Sequence, residues 1–262
     1  MIAPASLRED VSPQLTRSLA YWLEGVFGYR HRDGIRADYV MSIALMCELD
    51  VPRGARQDMM SRLVNAASRD DAVMFDVLDA VLHKGPGLMS PGSLRETLAE
   101  GHSAWTVRQD DRGLERRVDA TAGKALDRIL SVEELASAEL AEAWSKTYGL
   151  HPDASDAWDH AIKAVEEILI PLIVPGKAKA NLGAVAGTLR ATPHKFVVAL
   201  ESPEGPEQSV QTLEGMIRLM WPNPDRHGAG VRRTPTLTEA AAVVGLAVTI
   251  VQWARDGLIS AA

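Results

Sequence analysis

The segment Asp225-Arg226-His227-Gly228 holds the residue types best suited to chemistry in this chain. An arginine offers a fixed fork of donors for a phosphate, and a neutral imidazole can take or give a proton near pH 7. A glycine lets the backbone bend close to a ligand. A charge clamp beside a general acid or base is what metal-free cleavage of a phosphodiester requires. The structural alternative is a polar turn in which Asp225 pairs with Arg226 and caps the bend. Lys163 and Glu166 are three residues apart, so they share one helix face. They either orient such a site or form a surface ion pair. The run Gly176-Lys177-Ala178-Lys179-Ala180-Asn181-Leu182-Gly183 opens a predicted helix, where two lysines and exposed amides could hold a phosphate. It lacks the Gly-Lys-Ser/Thr ending of a P-loop, and solvated lysines at a helix entry explain it as well. Arg108, Arg112, Arg116 and Arg117 surround a predicted hairpin, where they serve as a charged, aggregation-resistant edge or a weak nucleic-acid surface.

His31, His83, His102, His151, His160 and His194 show no metal-ligand spacing, and paired Cys-x2-Cys motifs are absent. No metal or other cofactor is expected. Net charge is -7, which argues against a general DNA-coating protein, because phosphate binding needs clustered positive charge. The single cysteine, Cys47, cannot form an internal disulfide, and its apolar surroundings predict a small buried hydrophobe. The apolar runs look shorter than the roughly 20 residues of a membrane span, and the N-terminus lacks a signal pattern. The expectation is a cytoplasmic protein without a membrane partner.

Hydrophobic residues at 46% with only 5% aromatics suit packed helices. Helical periodicity and stop signals predict helices over 12–27, 36–49, 53–68, 70–83, 93–100, 120–130, 133–148, 154–172, 178–191, 205–221 and 237–256. Ser12-Pro13 marks the first N-terminus, and Thr236 or Thr238 caps the last helix. Pro171 and Pro175 are expected to close the helix that begins at 154. Residues 29–34 read as a polar loop, and 222–235, with Pro222, Pro224 and Pro235, as another. The clear β signal is a hairpin near 102–118 around Gln109-Asp110-Asp111-Arg112-Gly113. The fold class is mainly α: helical bundle domains with one small β-hairpin in the middle of the chain. The predicted division is 1–150, helical with the hairpin, and 151–262, a helical bundle.

Residues 153–256 carry a further pattern: Asp153 to Ala157, Ala161 to Glu166, Lys179 to Gly183, Leu219-Met220-Trp221, Asp225 to Gly228, then an Ala/Val-rich helix ending in Val251-Gln252-Trp253. This resembles the abortive-infection C-terminal family of phage-defence proteins, close to the HEPN helical domains. The text from Gly101 to Trp105 and from Leu114 to Asp119 resembles what precedes such domains in actinobacterial proteins. The resemblance implies a helical bundle, often a homodimer, that cuts RNA without a metal. His227 matches the family's histidine position, with Arg226 or Arg218 as the cation. Family sites separate arginine and histidine by several residues, whereas Arg226 directly precedes His227 and Arg218 stands well before it. Catalysis by His227, Arg226, Lys163 and Glu166, with RNA phosphates held by Lys177, Lys179 and Arg218, is therefore one expectation. A non-catalytic binding or sensing module, its Asp225–His227 turn locked to Lys163 or Glu166, is the other. An accessory protein encoded by a phage or prophage is a third.

Overall fold

The computed structural model describes residues 7–28, 36–87, 89–132, 134–177, 179–225 and 232–262. The predicted loop at 29–34 lies outside them. The described residues form a mainly helical chain with two small antiparallel sheets. They divide into two compact units, Met1–Arg117 and Val118–Ala262, whereas the sequence pattern places its boundary near 150. The difference comes from packing: Leu126, Ile129, Leu140 and Trp144 bury into the same core as Trp158 and Val165.

The first unit holds α1 (Pro13–Phe27), α2 (Ala37–Met46), α3 (Arg56–Ala67), α4 (Asp71–Lys84), α5 (Pro91–Glu100) and the hairpin β1 (Trp105–Val107) with β2 (Leu114–Arg116). Leu15, Leu19, Trp22, Leu23 and Val26 recur at helical spacing in α1 and are all buried. Ser12 accepts from the Leu15 amide, and Asp70 accepts from Ala72 and Val73, so both helix starts have free N–H groups met by a side chain. The hairpin pairs Trp105 with Arg116 and Val107 with Leu114. It does not stand alone: Arg8 bridges to Ser103, and Asp79 of α4 accepts from the Leu114 amide at 2.6 Å.

The second unit comprises α6 (Ala120–Leu130), α7 (Leu135–Tyr148), α8 (Ala154–Ile173), α9 (Leu182–Ala191), a 3-10 turn (Pro193–Lys195), β3 (Phe196–Val198), α10 (Pro206–Met220), α11 (Leu237–Arg255) and β4 (Ile259–Ala261). Helix α8 is its axis and packs against α7, α9 and α11. Ala157, Ala161 and Ala164 are fully buried on α8, and such small side chains let neighbouring helices come close. Contrary to the sequence expectation, α8 passes through Pro171 and ends at Ile173. Proline there forfeits one bond to the carbonyl of Glu167, which is exposed and can be hydrated. Helix α9 starts at Leu182 rather than 178, because Lys179 takes a left-handed φ of 57° and Asn181 caps the helix. The sheet β3–β4, pairing Phe196 with Ala261 and Val198 with Ile259, is not foreseen in the sequence pattern.

One helix among the described residues, α11, is long and apolar enough to cross a membrane, with 19 residues and a mean hydropathy of 1.6. This corrects the reading that apolar runs fall short of that length. In the fold, its Val243, Val244, Ala247, Ile250 and Val251 enter the core, and Arg255 at its end meets Glu134, Ser137 and the Ile129 carbonyl. Truncating Leu169, which is fully buried, leaves a cavity in that core. Leu169→Ala is expected to cost about 2–5 kcal/mol in urea unfolding. Cys47 is half-buried rather than buried, and burial pushes its thiol up to about 11, with Asp76 and Asp79 adding to the effect. The interval from 9.0 to about 11 corresponds to roughly 100-fold less thiolate. Alkylation of the folded chain at pH 8 should be slower than that of the urea-unfolded chain by about that factor.

Candidate functional site

The connection from α10 to α11 is anchored at both ends. At its start, the indole of Trp158 donates to the Met220 carbonyl at 2.6 Å, inside the core. Asn223 follows and is 1% exposed. Its amide nitrogen donates to the Ser155 carbonyl at 3.1 Å and to Asp159 Oδ1 at 2.6 Å, while its Oδ1 accepts from the Asp225 amide at 3.0 Å. The Ser155 hydroxyl donates to Asp225 Oδ2 at 2.8 Å. Asp153 caps α8 through the amides of Ser155 and Asp156, which holds this first turn in place. Gly183 lets Trp221 lie close: a Cβ there would sit 2.7 Å from the indole nitrogen.

At the other end, the Arg233 amide donates to the Pro224 carbonyl at 3.3 Å, which closes the base of the loop. The Arg233 guanidinium forks onto Glu239 at 2.9 and 2.6 Å. Glu239 and Thr236, one of the two expected caps, form a capping box at the start of α11. Arg233 above all, then Thr236, draws the Glu239 carboxyl down to about 2.

Arg226 and His227 lie on the span between these anchors and outside the described residues. Asp225 is held by Ser155, not by Lys163 or Glu166. Lys163 is exposed on α8, roughly 12 Å along the axis from Ser155 by helical rise. Glu166 reaches the other way and accepts from the Leu182 amide at 2.7 Å. Its carboxylate thus occupies the start of α9, where the sequence pattern suggests a phosphate, and Asn181 accepts from the Ala184 amide beside it. Lys177 and Lys179 are exposed at that end, and Arg218 pairs with Glu214 one turn back on α10. The described residues therefore do not gather Lys163, Glu166, Lys177, Lys179 and Arg218 around one point.

A second polar cluster forms where α7 meets α8. His160 Nδ1 lies 2.6 Å from Glu139 Oε2, and its Nε2 lies 3.7 Å from Asp156 Oδ1. Asp156 also meets Lys146 at 3.0 Å and raises the pKa of that ammonium through its hydrogen bond and charge. Sequence spacing passes over His160 because Glu139 sits 21 residues earlier on another helix. Among the described residues, no group of three or more His, Cys, Asp or Glu is placed to hold a metal ion.

Asn223→Ala leaves the carboxylate of Asp159 without this buried donor, so a loss of about 1–3 kcal/mol in chemical denaturation is expected. The carboxyl of Glu239 is depressed on folding, so its contribution is present above 4.5 and lost as pH falls toward about 2. NMR of the Thr236 and Glu239 amides should show the start of α11 loosening across that window, and Glu239→Gln should abolish the pH response. No protein-family model, curated protein or solved structure matches the chain.

Proposed function

We propose that this chain is an antiviral-defence protein of the abortive-infection type that cuts RNA, without a metal, at the connection between α10 and α11. The observation that carries this reading is the double anchoring of that connection, by Asn223 and Ser155 on one side and Arg233 with Glu239 on the other. Ends fixed on a rigid frame lower the entropy that bringing loop side chains to a substrate would cost. Arg226 would clamp the scissile phosphate, and His227 would take the 2′-hydroxyl proton. The 2′-oxygen then bonds to phosphorus as the bond to the 5′-oxygen breaks, and water returns a proton to the leaving oxygen. Lys163, exposed on α8, would add positive charge for the RNA, while Glu166 would hold the start of α9. In this reading the protein works in the cytoplasm, as a homodimer and without a cofactor.

A second reading, a non-catalytic sensing module, is favoured by the carboxylates at the same end of α8. Asp159 and Asp225 lie at the base of the loop, with Asp153 capping the same end of α8, and their charge disfavours a phosphate there.

Purified protein in EDTA is expected to cleave single-stranded RNA, and His227→Ala should slow it by about 10²–10⁴ with an unchanged melting temperature. Equal cleavage by the variant, or none by the parent chain, rejects the nuclease. A His227→Ala change that only lowers the melting temperature supports the sensing module.

A further inference from the structure

In the first unit, Arg8, Arg95, Arg108 and Arg116 each meet a carboxylate, at 2.6 to 2.8 Å. Arg17 and Arg112 of the same unit meet no carboxylate among the described residues, and the arginines of α3 and its flanks add four more along a single helix. Arg53 and Arg56 at its start, Arg62 on its exposed side and Arg69 in the turn that closes it are all exposed, and none meets a carboxylate among the described residues. Asn65 lies between Arg62 and Arg69 on the solvent side. Arg62 and Arg69 are seven residues apart, so their backbones lie roughly 10 Å from each other along the helix. Asp58 shares this side and reduces its charge without pairing to it. Four such guanidinium groups in a chain of net charge -7 are an arrangement that surface solubility does not need.

We propose that this arginine face of α3 holds the phosphodiester backbone of RNA, chiefly through Arg62 and Arg69. Guanidinium groups fork onto phosphate oxygens, and the Asn65 amide can add a hydrogen bond to phosphate or sugar. A lipid surface fits less well. Membrane-bound helices insert apolar side chains, whereas Met59, Met60, Leu63 and Val64 of α3 are buried in the unit and no large apolar residue of α3 is exposed. The choice of RNA as the polyanion rests on the function proposed above; the location of the contact does not.

The test uses the full chain carrying His227→Ala, so that cleavage does not consume the probe, and a fluorescein-labelled 20-nucleotide polyuridine. Fluorescence anisotropy across a KCl series should show salt-sensitive binding. Combining Arg62→Gln with Arg69→Gln should weaken it at least about tenfold and flatten the salt slope by roughly 1.4, about 0.7 for each phosphate that is no longer neutralised. The Lys pair at the same positions should retain most of the slope, and all forms should melt alike. An unaltered slope in the Gln pair, no binding of the RNA, or equal binding of polyglutamate or phosphatidylserine vesicles overturns the proposal. Cleavage by the parent chain is measured separately, so the failure of the nuclease and the failure of this binding face are distinguishable.

Discussion

The carboxamide of Asn223 is the constraint on which the second unit's polar end depends. It is buried, and a buried amide left without partners costs far more than one hydrogen bond returns. Its donors therefore have to find the Ser155 carbonyl and Asp159, and its oxygen has to find the Asp225 amide. Those requirements fix how the chain leaves α10 and where Asp225 meets α8. The Asp225 carboxylate then satisfies the Ser155 hydroxyl, and the backbone bond from Arg233 to Pro224 closes the loop. The capping box completes the path by fixing where α11 begins. Each link is a polar group satisfied by the next, so the positions of Asn223, Pro224 and Asp225 follow from local bonds to α8 and to Arg233.

The helical content was legible because most of these helices bury one face. In α1 and α8 the apolar residues recur with the helical period, and Ser12, Asp153 and Thr236 mark beginnings with side chains that can accept from free amides. The hairpin was legible for a similar reason, since its turn residues are local. The sheet of β3 and β4 was not, because three residues at Phe196 have to meet three at Ile259 far along the chain, and nothing local signals that meeting. The path of α8 through Pro171 was hidden as well. Proline's cost depends on whether one carbonyl can reach water, which is a property of the packed surface. Site partners suffered most. Asp225 reads as a turn residue, but its bond to Ser155 rather than to Lys163 or Glu166 follows from where Asn223 is buried. The pairing of His160 with Glu139 depends in the same way on the contact of α7 with α8.

Charge in this chain is arranged by use rather than by average. Several carboxylates serve as acceptors within the fold: Asp70, Asp119 and Asp153 cap helices, Asp79 holds the hairpin, and Glu239 holds Arg233. A carboxylate engaged in this way keeps its charge but presents less of it to a passing anion. Two of the hairpin arginines are likewise committed, Arg108 to Asp110 and Arg116 to Glu9, and Arg117 reaches the Ser103 carbonyl, which weakens the positive field on that edge for a nucleic acid. Net charge alone therefore says little about where a polyanion could bind.

The start of α9 shows how a plausible anion site can be used up by the fold itself. Exposed amides, a helix dipole and two nearby lysines are what a phosphate would seek. The same features attract any carboxylate within reach, and Glu166 on α8 is one turn from Ile170 and directed at the Leu182 amide. An internal carboxylate has the advantage, because its own ordering is already met by the packing of α8 on α9 and no ligand has to be immobilised. A phosphate arriving there would meet a negative charge already bonded to the leading amide. Lys177 and Lys179 then remain exposed beside a position where the Leu182 and Ala184 amides are already taken, so they can draw a polyanion toward the surface without those amides to fix one phosphate in place.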